Sequence, residues 1–171
     1  SSHTEQLADF RAELRHLDPD IQVDDSRLAR ALYSSDASIY RVVPAAVVHP
    51  HGEAQVRALC QAASAVGLPI TSRGAGTSCA GNAVGPGVIV DLSGMDEIAD
   101  VDVEHKRVRV QPGVVQEQLQ RVLRPFGLRY GPDPSTSSRC TIGGMIGNNA
   151  CGPRALAYGR TADTIESARL V

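Results

Sequence analysis

No stretch of this 171-residue sequence approaches the roughly 18 apolar residues that a membrane-spanning helix needs, which excludes a transmembrane segment from it. Nor does the N-terminus show the basic-then-apolar pattern of a secretory signal. An excess of one charge sign is missing too. The net charge of −2 offers no electrostatic case for nucleic acid or anionic lipid. The chain reads as soluble and cytoplasmic. Four cysteines stand at 60, 79, 140 and 151 without a CxxC pair, a spacing that suits neither zinc nor an iron–sulfur cluster. Cys60 reads as a reduced core thiol. No metal site is assigned, His49-Pro50-His51 included. What is present suffices for a fold: 42% apolar residues fill a core for one ordinary domain or two small lobes.

Glycine is absent from residues 1–51, and all sixteen glycines lie from Gly52 onward. That shift predicts a helical lead-in followed by a loop-rich functional core. Ser2-His3-Thr4-Glu5 reads as a capping box opening a helix with Leu7, Phe10, Leu14 and Leu17 on one face. Asp24 or Asp25 is expected to cap a second helix that buries Leu28, Ala31 and Leu32. Residues 45–49 read as a strand. Residues 53–66 form a helix with Val56, Leu59, Cys60 and Ala63 inward and Gly67 as its C-cap. Residues 68–72 are a second strand, completing a β-α-β unit, and 88–92 a third. Val101 and Val103 alternate with Val108 and Val110 about a turn at 104–106, the mark of a hairpin. A helix follows from Val115 to Leu123, stopped near Pro125 and Gly127. The last four residues resemble a strand that has just begun.

Two glycine-rich runs carry the chemistry. The first, SRGAGTSCAG at 72–81, and the second, TIGGMIGNNACG at 141–152, hold no acid, histidine or lysine. In the first, Gly76 and Gly81 have P-loop spacing, but Asn82 stands where that loop has lysine. A dinucleotide fingerprint lacks its third glycine, and nine residues between Ser78 and Val88 leave no room for a crossover helix. The remaining device is a nest of backbone N–H groups, freed by glycine to converge on an anion such as a diphosphate. Thr77 and Ser78 add hydroxyls, and Arg73 adds charge at the rim. A plain loop between strands stays open as the alternative. In the second run, Thr141 is expected to cap a short helix through Asn149, ended by Gly152. Gly143, Gly144 and Gly147 each cost roughly 1 kcal/mol there relative to alanine. They leave one helix face bare, for another element or for a flat ring system.

Together these motifs resemble the FAD-binding domain of the vanillyl-alcohol oxidase and p-cresol methylhydroxylase superfamily. Within it, the branch of D-lactate, glycolate and D-2-hydroxyglutarate dehydrogenases is the nearest likeness. The likeness runs over about residues 36–171. It rests on Ser35-Asp36-Ala37-Ser38 with Tyr40, on Arg73-Gly74-Ala75-Gly76-Thr77-Ser78, on Gln111-Pro112-Gly113 and on Pro132-Asp133-Pro134-Ser135. It continues through Thr141-Ile142-Gly143-Gly144-Met145-Ile146 with Asn149, and Tyr158-Gly159 with Asp163. The resemblance implies an α+β fold, a small βαβ lobe and a larger mixed-sheet lobe with FAD between them. The chain divides accordingly into a helical lead-in (1–40), the small lobe with the pyrophosphate loop (41–92) and an incomplete second lobe (93–171). The resemblance assigns Gly74, Ala75, Gly76, Thr77, Ser78, Gly81 and Asn82 to the diphosphate, and Arg73, as the charge at the rim, counts with them as cofactor-binding. It assigns Pro132, Ser135, Thr141, Gly143, Gly144, Gly147, Asn149 and Gly152 to the flavin side.

Members with histidyl-linked flavin have histidine where this chain has Thr77, so FAD is expected to be non-covalent. Cys140 lies one residue from the position of a cysteinyl link and reads as an ordinary thiol. The resemblance implies hydride transfer to FAD from a small 2-hydroxy acid, in a full-length enzyme of which this chain is an N-terminal, C-terminally truncated part. Catalytic residues are expected downstream, and none is assigned here; His49, His51 and His105 read as solvated. Peripheral membrane contact would likewise fall to missing domains. Two rivals are a flavin reductase of peptidoglycan precursor synthesis and a non-catalytic interaction module.

Overall fold

The computed structural model describes residues 3–171, and Ser2 of the expected capping box lies outside them. The chain forms two compact units, Ser1–Gly94 (with Val171) and Met95–Leu170. In the first, helix α1 (His3–Leu17) packs on helix α3 (Glu53–Val66). Phe10 and Leu14, one helical turn apart, meet Leu59, Ala62 and Ala63. The small alanines let the two backbones approach, while Leu17 stays exposed. Gly67 ends α3 in the left-handed region at φ 67°, and its N–H donates to the carbonyls of Ala63 and Ser64.

Four strands, β1 (Val23–Asp24), β2 (Ala46–Val48), β3 (Ile70–Arg73) and β4 (Val88–Asp91), form one mixed sheet in the order β1-β2-β4-β3. β2, β4 and β3 run parallel, and β1 is antiparallel to β2. Sequence explains why β4 takes the centre. Val88, Ile89 and Val90 are buried on both faces, whereas β3, Ile-Thr-Ser-Arg, is only half covered and suits an edge. Strand alternation sends Val48, Val88 and Val90 toward α1 and α3. Val47 and Ile89 point the other way, toward Ala29 of helix α2 (Arg27–Leu32).

Helix α2 corrects the reading of its sequence. Its cap is Ser26, whose Oγ accepts the Ala29 N–H at 3.2 Å, while Asp24 accepts the Ser26 N–H at 2.9 Å. Ala29 faces the sheet; Leu28 and Leu32 face outward, 69% and 63% exposed. Arg30 Nε donates to the Pro44 carbonyl at 2.8 Å, fixing the rotation of the six-residue helix.

In the second unit, α4 (Gln116–Leu123) and α5 (Ile142–Gly147) pack around Val114, Leu119, Leu123, Cys140, Ile142 and Met145, and the short α6 (Ala155–Tyr158) buries no residue. A 3-10 turn at Arg124–Phe126 and Gly127 at φ 68° stop α4. Isolated antiparallel bridges at Ile98↔Val110 and Asp102↔Arg107 form the hairpin, turned through Lys106 at φ 55°. Its β-structure consists of such bridges rather than strands, and residues 168–171 adopt none.

Candidate functional site

The first glycine loop leaves the carboxyl end of β3 and returns to the start of β4 without helix or strand. Gly76 at φ 66° and Gly81 at φ 78° occupy the left-handed region, as a nest of amides requires. Both flanks are pinned. The Ala37 N–H donates to the Gly76 carbonyl at 3.0 Å, and the Ala83 N–H donates to Asp36 Oδ2 at 3.3 Å. Asp36 also takes the Ser38 N–H at 2.8 Å. Desolvation pushes its carboxyl up, but the hydrogen bonds from Ser38 and Ala83, with the Arg73 charge, outweigh that and hold it below the usual range. Among the described residues, no acceptor meets the N–H groups of residues 74–78. These are five successive donors with no protein acceptor. Thr77 and Ser78 are half-buried and Asn82 is exposed, and Ser78 Oγ also accepts the Ala80 N–H.

Arg73 departs from its expected place at the rim. Its guanidinium lies over the Tyr33 ring, 5.0 Å from the centroid, and donates to the Ala83 carbonyl at 3.0 Å. A Cβ at Gly76 would stand 2.5 Å from Arg73 Nη2. The side chain is drawn toward the loop's own backbone because an aromatic face and a carbonyl both lie within its reach. The Tyr33 hydroxyl donates to Asp91 Oδ2, and buried Asp91 takes the Ser93 N–H at 2.8 Å on its other oxygen. Burial, then that bond to Asp91, pushes the Tyr33 hydroxyl well above the normal tyrosine range. Sequence reasoning missed Tyr33 and Asp91 and gave Asp36 no role. The available signals were the Asp-Ala-Ser spacing of an Asx turn and a charge closing the apolar run Val-Ile-Val.

The second run gives a split result. Thr141, 3% exposed, caps α5 by accepting the Gly144 N–H at 3.3 Å. The Ile142 and Gly143 amides donate to the carbonyls of Val114 and Pro112 at 2.8 Å. The first turn of α5 therefore has no donor left for an anion. Gly143 is needed for packing, since a Cβ there would meet Pro112 at 2.7 Å. Gly144 would meet only its own cap, and Gly147 meets nothing within 4 Å. The bare face is thus closed by a neighbour at one end and open at the other. The helix ends at Gly147, with Asn148 as its C-cap, rather than running through Asn149, and Asn149, at φ 45°, accepts the Ala162 N–H at 3.0 Å. Gly152 packs edge-on to Asp133, whose carbonyl would lie 2.3 Å from an added Cβ. Buried Pro132 accepts the Gln116 amide at 2.9 Å, and Ser135 is exposed.

Cys140 is buried, and desolvation raises its thiol above the usual range. Cys79 and Cys151, one in each run, are exposed. Exposed His105 bonds Asp102 at 2.9 Å within its own turn, and His49 stands 3.8 Å from Asp91 at the end of β2. Among the described residues, no helix is long and apolar enough to cross a membrane.

The chain is 41% identical over 146 residues to D-2-hydroxyglutarate dehydrogenase of Escherichia coli, an alignment covering 83% of this chain and 14% of that protein. It is 36% identical over 160 residues to the glycolate oxidase subunit GlcD of Bacillus subtilis, covering 92% and 34%. It therefore spans between a seventh and about a third of such relatives. Among solved structures, alkyldihydroxyacetonephosphate synthase superposes with a TM-score of 0.79 at 24% identity over 95% of this chain and 32% of that one. A xylooligosaccharide oxidase from Myceliophthora thermophila gives 0.74 at 20% identity, over 91% and 33%. Both show the fold alone, that of the p-cresol methylhydroxylase type. The family model described as FAD binding domain matches residues 44–171, both glycine runs included. On that match the chain belongs to the FAD-binding domain family, and its cofactor is FAD.

Proposed function

We propose that this chain is the FAD-binding segment of an oxidoreductase that oxidises a 2-hydroxy acid of the D-2-hydroxyglutarate, glycolate or D-lactate type. The observation that carries the reading is the run of unanswered amides at residues 74–78, in a loop whose flanks are already engaged. Such a run holds a diphosphate without a lysine, because successive N–H dipoles sum to a local positive field. Gly74, Ala75, Gly76, Thr77 and Ser78 supply it, with Gly81 and Asn82 completing the cradle. In the second run, Gly144 and Gly147 offer bare backbone to a flat ring. Pro132, Ser135, Asn149 and Gly152 belong to the same side, while Thr141 and Gly143 hold that helix in place. Bound FAD supplies the hydride acceptor. This chain's residues bind and orient it, and no residue in it is assigned as the base.

The names of the two relatives support a 2-hydroxy acid. Thr77, which cannot form a histidyl link, and the buried Cys140 support non-covalent attachment. Four free cysteines suit the reducing cytoplasm. The test has two stages. Equilibrium dialysis of this chain with FAD gives saturable binding, and acid precipitation leaves the flavin in the supernatant. The protein carrying this segment at its relatives' length then loses flavin absorbance anaerobically with D-2-hydroxyglutarate, glycolate or D-lactate. Bleaching by NADPH alone would instead make it a flavin reductase, and absence of FAD binding at both lengths would leave an interaction module.

A further inference from the structure

We infer that Arg73 is a positioning residue for the cofactor: anchored on Tyr33 and, through it, on Asp91, it fixes the shape of the diphosphate loop from within instead of contacting the diphosphate. The inference rests on the reading of residues 74–78 as the diphosphate cradle. Three observations converge on it. The guanidinium lies over the Tyr33 ring and donates through Nη1 to the Ala83 carbonyl. It lies so close to Gly76 that a Cβ there, 2.5 Å from Nη2, would have to displace it. The ring beneath it is fixed by its hydroxyl on Asp91, the last residue of the central strand and 6% exposed.

Ala83 is the far end of this clamp. Its carbonyl accepts from Arg73 and its N–H donates to Asp36, so the two peptide planes that meet at its Cα are each held by one bond. The near end is the Gly76 carbonyl, held by the Ala37 N–H. With the loop held at those points, the N–H groups of residues 74–78, which have no acceptor of their own, stay oriented before a ligand arrives. Pre-organisation of this kind raises affinity by lowering the ordering cost on binding. Lysine cannot replace arginine here, because it lacks the plane that stacks and the fork that reaches a carbonyl at the same time.

The experiment combines FAD titration at several salt concentrations with amide hydrogen exchange of the ligand-free chain. Arg73→Gln and Arg73→Lys should both weaken FAD by about tenfold to a hundredfold, with the salt dependence of the dissociation constant unchanged. Tyr33→Phe, which keeps the ring, should weaken FAD less than Tyr33→Leu. In the ligand-free Arg73→Gln chain the Ala83 amide should exchange faster, while amides in α3 keep their protection. Wild-type affinity in Arg73→Lys with a flattened salt dependence in Arg73→Gln would overturn the inference in favour of direct anion contact. Unchanged Ala83 exchange in Arg73→Gln would overturn the clamp on its own. A wild-type chain that binds no FAD overturns the cradle reading and this inference together, a result separable from the exchange measurement.

Discussion

Gly76 joins two constraints at one Cα: a backbone at φ 66° and a guanidinium in the space a side chain would fill. An alanine there pays a left-handed penalty of roughly 1–2 kcal/mol and displaces Arg73. Gly76→Ala should weaken FAD by about tenfold or more, read by fluorescence titration, while the circular dichroism of the fold is retained. Asp36 sets a pH dependence at the same loop. Its carboxyl is held below the ordinary aspartate range, so it binds fewer protons folded than unfolded. The stability it contributes is present above the unfolded value, about 3.9, and is lost as pH falls through the lower folded value. Urea melts should find Asp36→Asn less stable than wild type at neutral pH, with the gap narrowing below about pH 4. Neither residue's environment is written locally. Arg73 looks like rim charge until the fold brings Tyr33 and Ala83 beside it from positions 40 residues before and 10 after.

At the scale of elements, legibility followed length and punctuation. Helix α3 has four turns of period and a glycine stop, and its bounds, Glu53–Val66, match the sequence reading to the residue. Helix α2 has six residues and apolar side chains on two faces. Its burial was decided by Ala29, the residue small enough to approach β2 and β4, and no periodicity could indicate that. The bare face of α5 was visible in its glycines; which end a neighbour covers depends on Pro112, some thirty residues away. Thr141→Ala should remove the cap of α5, costing about 0.5–2 kcal/mol, and Thr141→Ser should restore most of it in thermal melts. Gly67→Ala leaves the new Cβ in open space, so only backbone strain remains, and a loss of about 1 kcal/mol is expected.

For the whole molecule, the two units have separate cores, Leu59 being fully buried in one and Leu119 nearly so in the other. Each Leu→Ala change should cost about 2–5 kcal/mol. Since the residues share no packing partner, the double variant should equal the sum of the singles within roughly 0.5 kcal/mol by chemical denaturation. The division at Gly94 was beyond the reach of composition, which changes at Gly52 because of loop content rather than a change of core. The strand order has a temporal side. Ala46–Val48 and Ile70–Arg73 never touch as ladders, since Val88–Asp91 lies between them. A nascent polypeptide emerging from the ribosome cannot zip its first two parallel strands until the third has been synthesised. The first glycine loop is the tether between the second strand and this late keystone, so it acquires its form only when the sheet closes around the final insertion.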